Sequence, residues 1–358
     1  MNAQITQNTF CTYTGSQGEV PHTTIFFISG NPGLVSYYHP FLSLLGQHLS
    51  PAQEEQKNGK HDTEKSASSS PSIQIYGCSL GGFEVNPEST SQKLYNLEDQ
   101  IQFVHNKLET LMVTNKHAST SANGTPKPSP ASKHKVILIG HSVGAYIAME
   151  ILRRHREADS APESQAQNTS SDFDIIGGAM LFPTVMHIAA SPSGQKLTRL
   201  LSVIPSLALI VGLFARLLVQ VLPTAVLKAA IKLVMHDPPA HALDATATFL
   251  SGCGHVQQAL HMAADEMRTI TSDKWTDDVW GVAHTREPLT KLFFYFGRGD
   301  HWVAEETREE IIALRGHGPR MVVCEEGLPH AFCLKHSDFM ARKVAGMIGE
   351  IVGGGEFV

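Results

Sequence analysis

Lys135–Glu150, KVILIGHSVGAYIAME, decides how the rest of the chain is read. Val136 to Ile139 are consecutive aliphatic residues, the pattern of a strand buried on both faces, and Ala145 to Leu152 read as a helix. Between them lies Gly140-His141-Ser142-Val143-Gly144. In a chain with 29 glycines a GxSxG match is weak by itself, so its context decides. An aliphatic strand before it and a helix after it predict a sharp turn, with Ser142 at a strained tip and flanking glycines leaving room for crossing backbone. Ser142 is the candidate nucleophile.

A serine hydroxyl is a poor nucleophile at neutral pH, so an imidazole must take its proton and a carboxylate must fix that imidazole. Two later strand ends supply candidates. Leu292–Phe296 reads as a buried strand ending in Gly297-Arg298-Gly299-Asp300-His301-Trp302, and the short strand Met321–Cys324 leads into a loop carrying His330. Strands of a parallel sheet end on one face, so Asp300 and His330 are expected on the same face as Ser142. Ser, Asp, His is also the chain order expected behind such a turn. Among nineteen histidines His330 is favoured, with His336 in the final helix as the second candidate. Asp300 competes with an ordinary role as N-cap for a helix starting at Ala304. His301 reads as incidental, and His141 as packing beside the turn.

Oxyanion donors are expected from the Val143 N–H and from the loop behind the strand Ile25–Ile28, which runs Ser29-Gly30-Asn31-Pro32-Gly33. Pro32 has no N–H, so Asn31 is the choice and Gly30 the fallback. Asn-Pro-Gly is equally ordinary turn chemistry.

Alternating strands and helices over 358 residues favour one α/β domain, residues 1–358, with a mostly parallel central sheet flanked by helices. Further elements are an edge strand near Thr9–Tyr13, a helix through Leu49, strands Ile73–Tyr76 and Ile175–Phe182, and a last helix through Ile351. Leu94, Leu97, Ile101, Val104, Leu108 and Leu111 form one apolar helical stripe. Residues 51–72, 113–134 and 157–172 are polar and read as disordered surface insertions, and GGGEFV as a loose tail.

The net charge of -6 gives no electrostatic case for nucleic acid. Five scattered cysteines without a CxxC pair argue against a disulfide framework or structural zinc. The dispersed histidines show no metal-ligand spacing, and no cofactor is expected. MNAQITQNTFCTYTG has neither a basic nor an apolar leader region, so a reducing intracellular location is expected.

Leu197–Met235, LTRLLSVIPSLALIVGLFARLLVQVLPTAVLKAAIKLVM, is the second informative stretch. A membrane span is long enough here, but Arg216 near its centre would cost about 2.5–3.5 kcal/mol on insertion scales. A buried cap over the site needs no membrane. Contact with one lipid leaflet suits broken apolar helices whose basic residues reach the headgroups. Cap and leaflet contact are compatible. The helical cap is placed at residues 184–288, inserted after the sixth strand, and lipid contact at Leu200, Ile204, Leu209, Leu213, Phe214, Leu217, Leu218 and Leu222.

With these residues assembled, the sequence resembles the lipid droplet-associated hydrolase family of α/β-hydrolases. The resemblance rests on Gly30-Asn31-Pro32-Gly33 with Tyr37, Tyr38 and Phe41, on Gly140-His141-Ser142-Val143-Gly144-Ala145-Tyr146, and on Gly327-Leu328-Pro329-His330-Ala331-Phe332. It covers about Ile25 to Ile351. It implies an α/β-hydrolase fold, residence on lipid droplets and the endoplasmic reticulum, and a serine lipid esterase role for Ser142, Asp300 and His330. The chain departs from the pattern at Ser29, where a proline is expected, and in its long polar insertions. The expected function is cleavage of a hydrophobic carboxylic ester, such as a sterol ester, at a droplet monolayer or membrane surface. Its rivals are a droplet-organising or binding protein with vestigial activity, and a soluble carboxylesterase or thioesterase.

Overall fold

The fold follows from one property of the chain: its most apolar short runs are strands, and nearly all of them are buried on both faces. The computed structural model describes residues 3–15, 21–50, 72–85, 93–122, 133–160, 172–204, 206–282 and 290–353. Eight strands make one sheet in the order β1-β2-β4-β3-β5-β6-β7-β8. They are β1 (Gln4–Ile5), β2 (Thr9–Thr14), β3 (Thr23–Ile28), β4 (Ile73–Cys78), β5 (His134–His141), β6 (Phe173–Leu181), β7 (Lys291–Gly297) and β8 (Arg320–Cys324). β4, β3, β5, β6, β7 and β8 run parallel; β2 lies antiparallel to β4 and to β1.

Parallel strands need crossovers, and helices provide them on both faces. They are α1 (His39–His48), α2 (Leu97–Ala122), α3 (Val143–Asp159), α9 (Glu305–Arg315) and α10 (Ser337–Gly353). Every residue of β3 is buried, and α3 is buried continuously from Val143 to Leu152. Between β6 and β7 the chain leaves the sheet for α4 (Pro192–Val203), α5 (Leu207–Val221), α6 (Thr224–Val234), α7 (Ala240–Ser251) and α8 (His255–Thr269), called the cap below. It forms a small apolar cluster of its own, Leu227, Ile231, Leu243 and Ala247.

Three boundaries differ from the sequence reading. Leu94 precedes α2, whose buried stripe is Leu97, Ile101, Val104, Leu108 and Met112. α2 also continues through 113–122, a stretch read as part of a disordered insertion; Asn115 is buried because its amide donates to Gln74 Oε1 at 2.7 Å. The helical stretch Ala240–Thr271 is two helices, parted where Gly254 takes a left-handed φ of 79°. Residues 51–71, 123–132, 161–171 and 354–358 lie outside the described residues, as do the expectations of disorder that fall on them.

Candidate active site

Ser142 is held in its turn by backbone geometry. It has φ 57° and ψ -125°, a conformation L residues rarely adopt. Its N–H donates to Leu181 O at 2.9 Å, which ties the turn to the end of β6. The two glycines of the motif are required by close approach. A Cβ on Gly140 would lie 2.4 Å from Gly144 O, and one on Gly144 would lie 2.4 Å from Ile28 O.

The carboxyl ends of β5, β7 and β8 converge on this point. His330, in the loop after β8, has Nε2 at 2.9 Å from Ser142 Oγ and Nδ1 at 2.7 Å from Asp300 Oδ2. Asp300, behind β7, is buried; its Oδ1 accepts the Trp302 N–H at 2.8 Å. Since a carboxylate only accepts, Nδ1 carries the hydrogen and Nε2 is left to accept from the serine hydroxyl. The α9 N-cap is Ala304 and makes no side-chain cap bond, so the capping alternative for Asp300 is not realised. The partner of Ser142 is His330 and not His336.

His141 does more than pack. It is fully enclosed, its Nδ1 lies 2.7 Å from Tyr38 Oη, and its Nε2 lies 2.9 Å from the His330 carbonyl. A carbonyl only accepts, so Nε2 donates there and Nδ1 accepts from Tyr38. The Gly30 N–H in turn donates to Tyr38 Oη at 3.3 Å. Burial, then the neighbouring His330, push the His141 pKa down to about 3, so it stays neutral. Tyr38, His141, Phe182 and Phe332 thus form an aromatic wall with His330. This chain of bonds joins the loop after β3, the serine turn and the histidine loop; only a loop-to-loop contact reveals it, and sequence carries no such signal.

Gly30 has therefore committed its N–H, whereas the N–H groups of Val143, first in α3, and of Asn31 have no protein acceptor among the described residues. The Asn31 side chain turns toward the cap, where Nδ2 donates to Ala259 O at 2.9 Å and to Glu266 Oε1 at 3.0 Å. Among the described residues, His155, Asp159 and Asp174 could each offer a cation one ligand atom, all within 4.8 Å. They sit at the far end of α3 from Ser142, and Asp174 already pairs with Lys133 at 3.2 Å.

The lipid-contact candidates divide by exposure. Leu200, Leu209, Leu213, Phe214, Leu217 and Leu218 are exposed, and Ile204 and Leu222 are half-buried. Ile210 and Val221 on α5, Val203 on α4, and Val226, Leu233 and Val234 on α6 are exposed as well. Among the described residues no single helix is long and apolar enough to cross a membrane; α4 and α5 reach that length only as a pair bent by 93°.

Residues 21–333 match the family described as lipid-droplet associated hydrolase. The chain belongs to this family. Lipid droplet-associated hydrolases of chicken (Gallus gallus) and mouse (Mus musculus) are 25% and 27% identical to it over 91% of its length and 84% of theirs. The relative from Dictyostelium discoideum is 25% identical over 93% of this chain and 89% of its own. Among solved structures, DBJA superposes with a TM-score of 0.51 at 15% identity over 98% of this chain and 96% of its own. A structure from work on carboxylesterases of Nitrososphaera gargenis gives 0.50 at 13% identity over 99% of both chains. These two likenesses concern the fold, which is that of the α/β-hydrolases. As a member of the lipid-droplet associated hydrolase family, the protein is a hydrolase, and the family is named for its association with lipid droplets.

Proposed function

We propose that the protein is a serine esterase that cleaves a hydrophobic carboxylic ester, a sterol ester or related lipid ester, by way of an acyl-enzyme. The observation that carries this reading is the hydrogen-bonded series Ser142 Oγ, His330 Nε2, His330 Nδ1, Asp300 Oδ2, with links of 2.9 and 2.7 Å. Ser142 Oγ attacks the ester carbonyl while His330 Nε2 takes its proton, and Asp300 stabilises the imidazolium. The negative charge that develops on the carbonyl oxygen is met by the Val143 and Asn31 N–H groups, where loss of one donor costs about 3–4 kcal/mol of barrier. The tetrahedral adduct collapses, His330 returns the proton to the leaving alcohol, and a water activated by the same imidazole releases the acid.

The substrate surface is the second part of the reading. The exposed apolar side chains of α4, α5 and α6 enter the monolayer of a lipid droplet, with the exposed Arg216 and Lys232 directed to headgroups. The cap lies over the site between that monolayer and the sheet. On this reading the protein works at lipid droplets and the endoplasmic reticulum, on the cytoplasmic side.

The test is labelling of the purified protein by a fluorophosphonate ester, comparing wild type with Ser142→Ala and His330→Ala. Rapid labelling of wild type alone is expected, because only an imidazole-activated serine reacts quickly. A folded wild type that stays unlabelled, with and without lipid emulsion, would sink the esterase and leave a droplet-binding protein.

A further inference from the structure

α8 lies between two very different partners. On one side α5 packs closely on it: a Cβ on Gly212 would lie 2.7 Å from Gln257 Cβ. On the other side Ala259 O and Glu266 Oε1 accept both hydrogens of the Asn31 amide, at 2.9 and 3.0 Å. Asn31 belongs to the loop that carries one proposed oxyanion donor, and Gly30 beside it sits against the serine, where an added Cβ would be 3.0 Å from Ser142 Cβ. A carboxyl group buried at the cap's inner surface is expensive unless it is hydrogen-bonded or neutral, and the Asn31 amide supplies one such bond.

We infer that Glu266 is a positioning residue of the ester-cleaving site: by holding the Asn31 side chain it aims the Asn31 N–H at the developing oxyanion, so the cap helix beneath α5 sets part of the site's geometry. This rests on the esterase reading above. The chemistry of the contact favours it. Asn31 donates to Glu266, so the carboxyl oxygen it meets need only accept, which a neutral carboxylic acid does. Burial pushes the Glu266 pKa up to about 8, against the Asn31 bond, with Asp265 adding to the rise. At pH 7 the group is then uncharged, and no negative charge opposes the oxyanion forming one loop away. Asp265, on the same helix, is the charged group whose field acts on Glu266; it is itself bonded to the Leu97 N–H at 2.9 Å and to Arg268 at 3.1 Å. Among the described residues, α2, α4, α5, α7 and the turn Ile188–Ala190, all packed on α8, bring no other charge to bear on it.

The experiment uses the full chain with p-nitrophenyl butyrate as probe ester, and Ser142→Ala as the control for the site itself. Glu266→Ala is expected to lower kcat about tenfold to a hundredfold with KM within about twofold, the signature of a group felt mainly in the transition state. Glu266→Gln, which still accepts the Asn31 bond but cannot ionise, is expected to keep kcat within about threefold at pH 7 and to lose a fall in kcat that wild type shows above pH 8. A folded Glu266→Ala protein with wild-type kcat overturns the inference. So does an alkaline fall that persists unchanged in Glu266→Gln, which decides the matter even if the alanine variant does not fold. If wild type neither turns over the probe nor exceeds Ser142→Ala, the esterase reading fails and this inference with it.

Discussion

α3 and α5 are helices of similar length, 17 and 15 residues, and the more apolar of the two is the one with a whole face left exposed. α3 carries charges through its last two turns, yet its first ten residues are buried against the sheet. In α5, LALIVGLFARLLVQV, Arg216 and Gln220 are the only polar side chains, and Leu207 is its only buried residue. Phe214 is 65% exposed and Val221 79%. An apolar helix in a protein core answers to its neighbours. One whose outer face stays exposed is an interaction surface or a liability.

The largest expected effect sharpens that division without disturbing either helix. Ser142→Ala should lower kcat on a probe ester by about 10^4-fold or more while the melting temperature and the fraction bound to artificial droplets stay near wild type. Loss of droplet binding in that variant would mean that the two regions are not separable. Next, Ile147→Asp in α3 places an unpaired carboxylate in a fully buried site and should destabilise by about 3–5 kcal/mol, read as failure to fold or a large drop in denaturant midpoint. The same change in α5, Phe214→Asp, should leave denaturant stability within about 0.5 kcal/mol, since the side chain is already in water. It should instead reduce partition onto artificial droplets about tenfold or more, from the transfer energy of one aromatic side chain. Equal destabilisation by the two aspartates would erase the distinction.

The smallest effect lies on α8, at Glu266. Its pKa is raised in the folded protein to about 8 from an ordinary carboxyl value, so between roughly pH 4.5 and 8 the folded state holds a proton that the unfolded state has released. Stability from this group therefore falls as pH rises through that window. Glu266→Gln should flatten the fall, with its gain in melting temperature larger at pH 8 than at pH 5. His39 and His141, pushed down to about 4 and about 3 by burial, act with the opposite sign at the acid end and are common to both proteins, so the difference between the two curves isolates Glu266.

What the sequence made legible and what it hid divide along the same line. Strand runs such as Phe26-Phe27 and Val136–Ile139 announce themselves because burial on both faces leaves a continuous apolar signal. Ser142, Asp300 and His330 could be named because each follows directly from a strand end, and all the strands that carry them point one way. Glu266 and His141 could not. Each acts through a partner far away in the chain, Asn31 and Tyr38, and neither spacing nor composition encodes such a meeting. α2 ran further than expected because Asn115 and Thr114 are polar yet bond within the fold or to their own helix, which a polarity rule reads as loop. In α5 the sequence conveyed that the helix was apolar but not that one face of it would stay exposed.

The order of the chain places α5 early in synthesis relative to the residues that complete the site. The end of α5 precedes His330 by about 110 residues, which at about 5–20 residues per second is roughly 5–20 s of synthesis. At the start of that interval β7, β8 and α10 do not yet exist, while α5 is already complete. Ser142 is thus made early but has no His330 to accept its proton until the loop after the last strand is laid down.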